Sequence, residues 1–197
     1  MTDLIRTEKG NFESVESKQL ATTFKVNDFH YGRYFLPSTL GHSEHEDIAA
    51  RLIERAHQEG KWVGVAYPAL MNELVKEFQN QWQEVKVPKK TGLFGKKEEE
   101  VHLQSKPAKE GEEAPFSVLS SLPQMLQNAP NEVVAMVDQG LLQKKHFDGK
   151  FEFANADGEK KTIEGCDVLF PTEKMLQMIY DRQHRDQKKP DKLPAKG

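Results

Sequence analysis

The apolar positions of the chain fall into short stripes separated by polar breaks. Ile48, Ala49, Leu52, Ile53 and Ala56 recur at three and four spacing, which predicts a helix over 43–59. Ser43 stands as its N-cap with Glu46 three residues on, the capping-box spacing. Glu44, Glu46 and Asp47 suit the positive end of the helix dipole, and Gly60 stops the helix. Trp62-Val63-Gly64-Val65 reads as a short strand. Pro68 then suits a first helical turn, followed by the stripe Leu70, Met71, Leu74, Val75, Phe78 and Trp82.

The second half repeats these signals. Val118, Leu119, Leu122, Met125 and Leu126 predict a helix over 117–128, with Pro123 in its first turn or breaking it. Pro130-Asn131 opens a further helix over 131–139, with Val133, Val134, Met136 and Val137 as its apolar side and Gly140 as its end. Phe151-Glu152-Phe153 alternates as a strand, and Asn155-Ala156-Asp157-Gly158 is a turn signal. Lys161-Thr162-Ile163 and Val168-Leu169-Phe170 form the returning strand. Thr172 caps a last helix carrying Met175, Leu176, Met178 and Ile179. The arm 1–42 is weakly periodic, and 22–26 alternates as a short strand would. Phe29, Tyr31, Tyr34 and Phe35 gather around Gly32 and Arg33, either as an arm docking on the core or as a base-stacking platform.

Composition changes this picture at two places. Of the 197 residues 37% are hydrophobic and 30% charged, which predicts an ordered core with solvated polar segments attached. Those segments are 84–115 and 184–197. The first balances Lys against Glu between Pro88, Pro107 and Pro115, and reads as a flexible linker or an insertion. The second is a Lys-rich tail with Pro190 and Pro194, expected to be disordered. No stretch is apolar enough to span a bilayer, and the first residues carry no secretory signal pattern. Cys166 is the only cysteine, so no intrachain disulfide forms and a cysteine-rich zinc site is excluded. A cytoplasmic setting is expected. The net charge of −3 excludes a uniformly basic nucleic-acid binder.

The order helix, short strand, helix, helix, hairpin resembles a winged helix-turn-helix domain. On that resemblance 43–59 is the first helix and 62–65 the short strand. Either 68–82 or 117–128 is the second helix, 131–139 the third, and 151–170 the wing. Val137-Asp138-Gln139-Gly140-Leu141-Leu142 is similar to the end of the third helix in such domains. Phe170-Pro171-Thr172-Glu173-Lys174-Met175-Leu176 is similar to the exit from the wing. The segment 84–115 departs from the pattern. The resemblance implies an α+β fold, mostly helical, with a small antiparallel hairpin.

Charge weighs on what such a fold does here. DNA-binding members present polar and basic side chains from the third helix to base edges. Residues 131–139 offer Glu132 and Asp138 and no Lys or Arg. This points to a non-enzymatic interaction module with a protein partner. A DNA-binding regulator is the second reading, with phosphate contacts from Lys144, Lys145, Lys150, Lys160 and Lys161 around the wing and from Arg182 and Arg185 near the tail. An enzyme or metal protein is the third. Its candidates are few. His42-Ser43-Glu44-His45-Glu46-Asp47 is dense in potential ligands, but its acids serve the helix end. Gly92-Leu93-Phe94-Gly95-Lys96-Lys97 lacks the spacing and hydroxyl of a phosphate loop. Cys166 has no assured base, His146 being the nearest histidine along the chain. No catalytic residue, metal or cofactor is assigned.

Overall fold

The computed structural model describes residues 4–30, 36–37, 44–88, 99–105, 117–118, 122–155 and 157–185. In order these form β1 (Ile5–Arg6), β2 (Phe12–Glu13), α1 (Val15–Thr23), α2 (Glu44–Glu59) and β3 (Val65–Ala66). There follow α3 (Tyr67–Gln81), β4 (Trp82–Pro88), β5 (Glu99–Ser105) and β6 (Ser117–Val118). The chain ends with α4 (Leu122–Asp138), β7 (Leu142–Ala154), β8 (Lys160–Pro171) and α5 (Glu173–His184). Three antiparallel sheets result: β1-β2, β3-β8-β7 and β4-β5-β6. Among the described residues strand makes up 32% and helix 48%, so the fold is mixed α+β and the expected mostly helical fold is overturned. The reason is the length of the hairpin strands. β7 and β8 run 13 and 12 residues, because their alternation continues through charged positions that carry no apolar signal.

The chain divides into two compact units. The first comprises 1–67, 132–151 and 163–197. Its core holds Phe12, Phe29, Ile48, Leu52, Ile53, Trp62, Met136, Val168, Phe170 and Ile179, all nearly or fully removed from water. Rings organise part of it: Phe29 meets Trp62 edge-on at 5.3 Å and Phe24 at 5.9 Å, and Trp62 Nε1 donates to the Phe24 carbonyl at 3.0 Å. Phe29 is therefore core and not a stacking platform, while Tyr31, Tyr34 and Phe35 lie outside the described residues. Gly64 bridges to Phe12 and lies so close to Phe170 and Val168 that a Cβ there would sit 2.4 Å from the Phe170 ring.

Residues 22–26 do not form the expected strand. α1 runs through Thr23, held at its start by a reciprocal cap in which the Ser14 hydroxyl accepts from Ser17 N–H and the Ser17 hydroxyl accepts from Ser14 N–H. A single 3-10 turn, Val26–Asp28, follows. Other signals hold. Gly60 and Gly140 take φ of +69° and +71° at helix ends, Gly158 takes +86° in the hairpin turn, and Thr172 caps α5 by accepting from Met175 N–H. The two helices expected over 117–139 are one, α4, which carries Pro130 inside it at the loss of one backbone hydrogen bond.

The second unit comprises 68–131 and 152–162. Leu70 and Leu74 of α3, both buried, belong to it. Within the stretch read as linker or insertion, β4 and β5 pair in register from Trp82↔Ser105 to Pro88↔Glu99. Each strand alternates, Val85-Lys86-Val87 in β4 and Val101-His102-Leu103 in β5, a period-2 pattern hidden by the charge around it; Lys86 stands opposite Val101 and Val87 opposite Glu100.

Candidate functional site

β7 decides what the β7–β8 hairpin shows to its surroundings. Successive strand residues point to opposite faces. Lys144, His146, Asp148 and Lys150 are accordingly exposed, while Lys145, Phe147 and Phe151 turn inward. The inner face is anchored by Phe12, whose ring lies 4.8 Å from that of Phe147 and 5.9 Å from that of Phe151. Lys145 reaches Glu16 of α1, and its ammonium lies 6.0 Å from the Phe170 ring. That ammonium holds the Glu16 carboxyl below its ordinary range.

The outer face is a lattice of opposite charges. Lys144 lies 3.4 Å from Asp167, and His146 Nδ1 lies 2.9 Å from the same carboxylate. Lys150 lies 3.8 Å from Glu164, and His146 Nε2 3.6 Å from Asp148. The hydrogen bond to His146, and after it Lys144, lower the Asp167 pKa. Glu164 and Asp167 are three apart yet meet the same face of β7. An odd spacing on one face needs an extra residue, and Gly165, with φ of +73°, supplies it as a bulge. A Cβ on Gly165 would meet His146 Nε2 at 3.1 Å.

The seven cations expected to contact nucleic acid are thus not one surface. Lys144 and Lys150 lie on the outer face in ion pairs, and Lys145 is turned to the opposite face. Lys160 and Lys161 are exposed and belong to the second unit. Arg182 and Arg185 are exposed at the end of α5.

The third helix of the expected arrangement corresponds to the second half of α4. Val134 is 57% exposed and Asp138 is exposed, with no cation between them. Glu132 does not face outward as expected. It is fully buried and meets His45 Nδ1 at the start of α2, also fully buried. Its place was legible: Ala129, Glu132, Val133 and Met136 follow the i, i+3, i+4, i+7 rule, so Glu132 lies on the apolar stripe. Burial lowers the His45 pKa, against the opposing pull of Glu132. His45 thus ties α2 to α4. His42 and Ser43 lie outside the described residues, among which no group of three acidic, His or Cys side chains could hold a metal.

Cys166 is buried, and burial with the neighbouring Asp167 pushes its thiol pKa up. His146 bonds to Asp167, the next residue along the strand, whose side chain points to the other face. The pair therefore has no nucleophile–base geometry. No helix among the described residues is long and apolar enough to cross a membrane. No known family model matches the chain, and neither a curated protein nor a solved structure matches it.

Proposed function

We propose that the chain is a non-enzymatic, winged-helix-like interaction module that acts through a protein partner in the cytoplasm. The order α2, β3, α3, α4, β7, β8 and the strand order β3-β8-β7 support the winged-helix reading. The observation that carries the choice of partner is the committed charge of the hairpin. Lys144 and Lys145 are paired with Asp167 and Glu16, and Lys150 lies 3.8 Å from Glu164, so phosphates would compete with carboxylates of the chain itself. The outward residues of α4, Val134 and Asp138, suit a protein surface better than a DNA groove. The single buried thiol agrees with a reducing compartment.

A photo-cross-linking residue at position 134 tests this. One discrete protein adduct, lost in Asp138→Lys, is expected; adducts indistinguishable from those of a cross-linker at exposed Lys174 overturn it. The regulator reading keeps one favouring observation, the exposed Lys160 and Lys161 beside the hairpin turn. Fluorescence anisotropy of labelled random duplex DNA at several salt concentrations separates the two. No binding at low salt is expected. Binding with a negative salt slope that Lys160→Glu with Lys161→Glu flattens makes the chain a DNA binder.

A further inference from the structure

A cleft of about 580 Å³ opens in the first unit between α1, the end of α4 and the start of β7. That volume falls within the range of ligand-binding pockets. Its floor is apolar, built from Leu20, Val137, Leu142 and Pro171. One wall is Leu142–Lys144, the first residues of β7. Among the described residues β7 is the outer strand in the order β3-β8-β7. An outer strand offers the N–H and C=O groups of alternate residues on its free side, a template for an added extended chain. The cleft thus sets an apolar floor beside an outer strand, which favours a peptide over a compact small molecule.

The rim selects the charge of that peptide. Glu16 and Glu173 both line the cleft. Glu173 is exposed and makes no hydrogen bond or ion pair among the described residues. Among the described residues Lys144, the one cation that lines the cleft, is paired with Asp167, and Glu16 is paired with Lys145, which leaves Glu173 as the open charge of the lining. The apolar stripe also runs on beyond the floor, since the exposed Val134 stands one helical turn before Val137.

We propose that this cleft docks an extended segment of a partner protein, aliphatic toward the floor and carrying Lys or Arg toward Glu173. The inference rests on the protein-partner reading above and assigns its site and its chemistry.

The test selects ten-residue random peptides by display against the full chain. Enriched sequences should pair aliphatic residues with Lys or Arg, and their binding should move the amide resonances of Gln19, Val137 and Gln143. Gln19→Trp, which fills the cleft mouth from an exposed helical position, should weaken binding by about tenfold or more. Glu173→Lys should weaken it as well, and a peptide with its Lys changed to Glu should regain affinity for that variant. Ala21→Trp, on the same helix but away from the cleft, should bind as the unaltered chain does. N-methylation of alternate peptide amides should abolish binding if the strand edge is used. Peptides that bind Gln19→Trp unchanged, or that move resonances elsewhere only, overturn the cleft while leaving the module reading intact. Failure to enrich any sequence overturns it too, and the module reading is then decided by the adduct at position 134.

Discussion

Two hairpins in this chain obey the same period-2 rule and end in different environments. β7–β8 carries Phe147 and Phe151 inward onto Phe12, and its outer charges are matched across the strands. β4–β5 places Val85 and Val87 on one side, only half-buried, with Glu84 and Lys86 exposed and Val101 of the facing strand 43% exposed. Alternation makes both of them strands. Aromatic burial anchors β7–β8, and a Phe ring removes far more apolar area from water than the Val side chains of β4–β5 do.

The largest expected effect breaks the anchor. Phe12→Ala should cost about 3–5 kcal/mol, read as a fall in the urea midpoint, since its ring is fully buried against two partners. A loss below about 1 kcal/mol would mean that β7 is held by something other than this face.

The bulge comes next. Gly165→Ala forces a side chain into the left-handed region and toward His146, and should cost about 1–2 kcal/mol by the same measurement. A neutral substitution would mean that Gly165 does not hold the left-handed conformation on which the bulge depends.

The pH dependence tests the ion pairs on both faces of β7. Asp167 and Glu16 have folded pKa values below their unfolded ones, so they stabilise the fold above the ordinary carboxylate range. That contribution is lost as pH falls through this range toward their lowered values. Thermal melts should therefore show a midpoint that drops on acidification below about pH 4, and Asp167→Asn should flatten part of that slope. An unchanged slope would remove Asp167 from the account.

The smallest effect belongs to the other hairpin. Val87→Thr should change stability by no more than about 0.5 kcal/mol, because the side chain is only half-buried and Thr keeps the strand propensity. A cost comparable to Phe12→Ala would show that β4–β5 is anchored after all.

Much of the fold was legible from local rules. Gly60, Gly140 and Gly158 terminate or turn the chain with positive φ, and Thr172 caps α5. The stripes of α2 and α5 are buried where their spacing places them. These signals act within a few residues, so sequence carries them in full. Two further local signals lie in the sequence: the Ser14–Ser17 cap of α1, and Glu132 on the apolar stripe of α4.

Sequence by itself therefore determined where most helices begin and end, and which residues share a face. Tertiary structure alone decided what each face meets. Lys144 and Lys145 are neighbours of one chemistry, yet one is matched to Asp167 and the other to Glu16, because a strand sends them to opposite sides. His45 and Glu132 are far apart in sequence and became a buried pair. Nothing local encodes such a pairing. The energy of a charge depends on which partner and how much water surround it, and both are set only when distant segments close on one another.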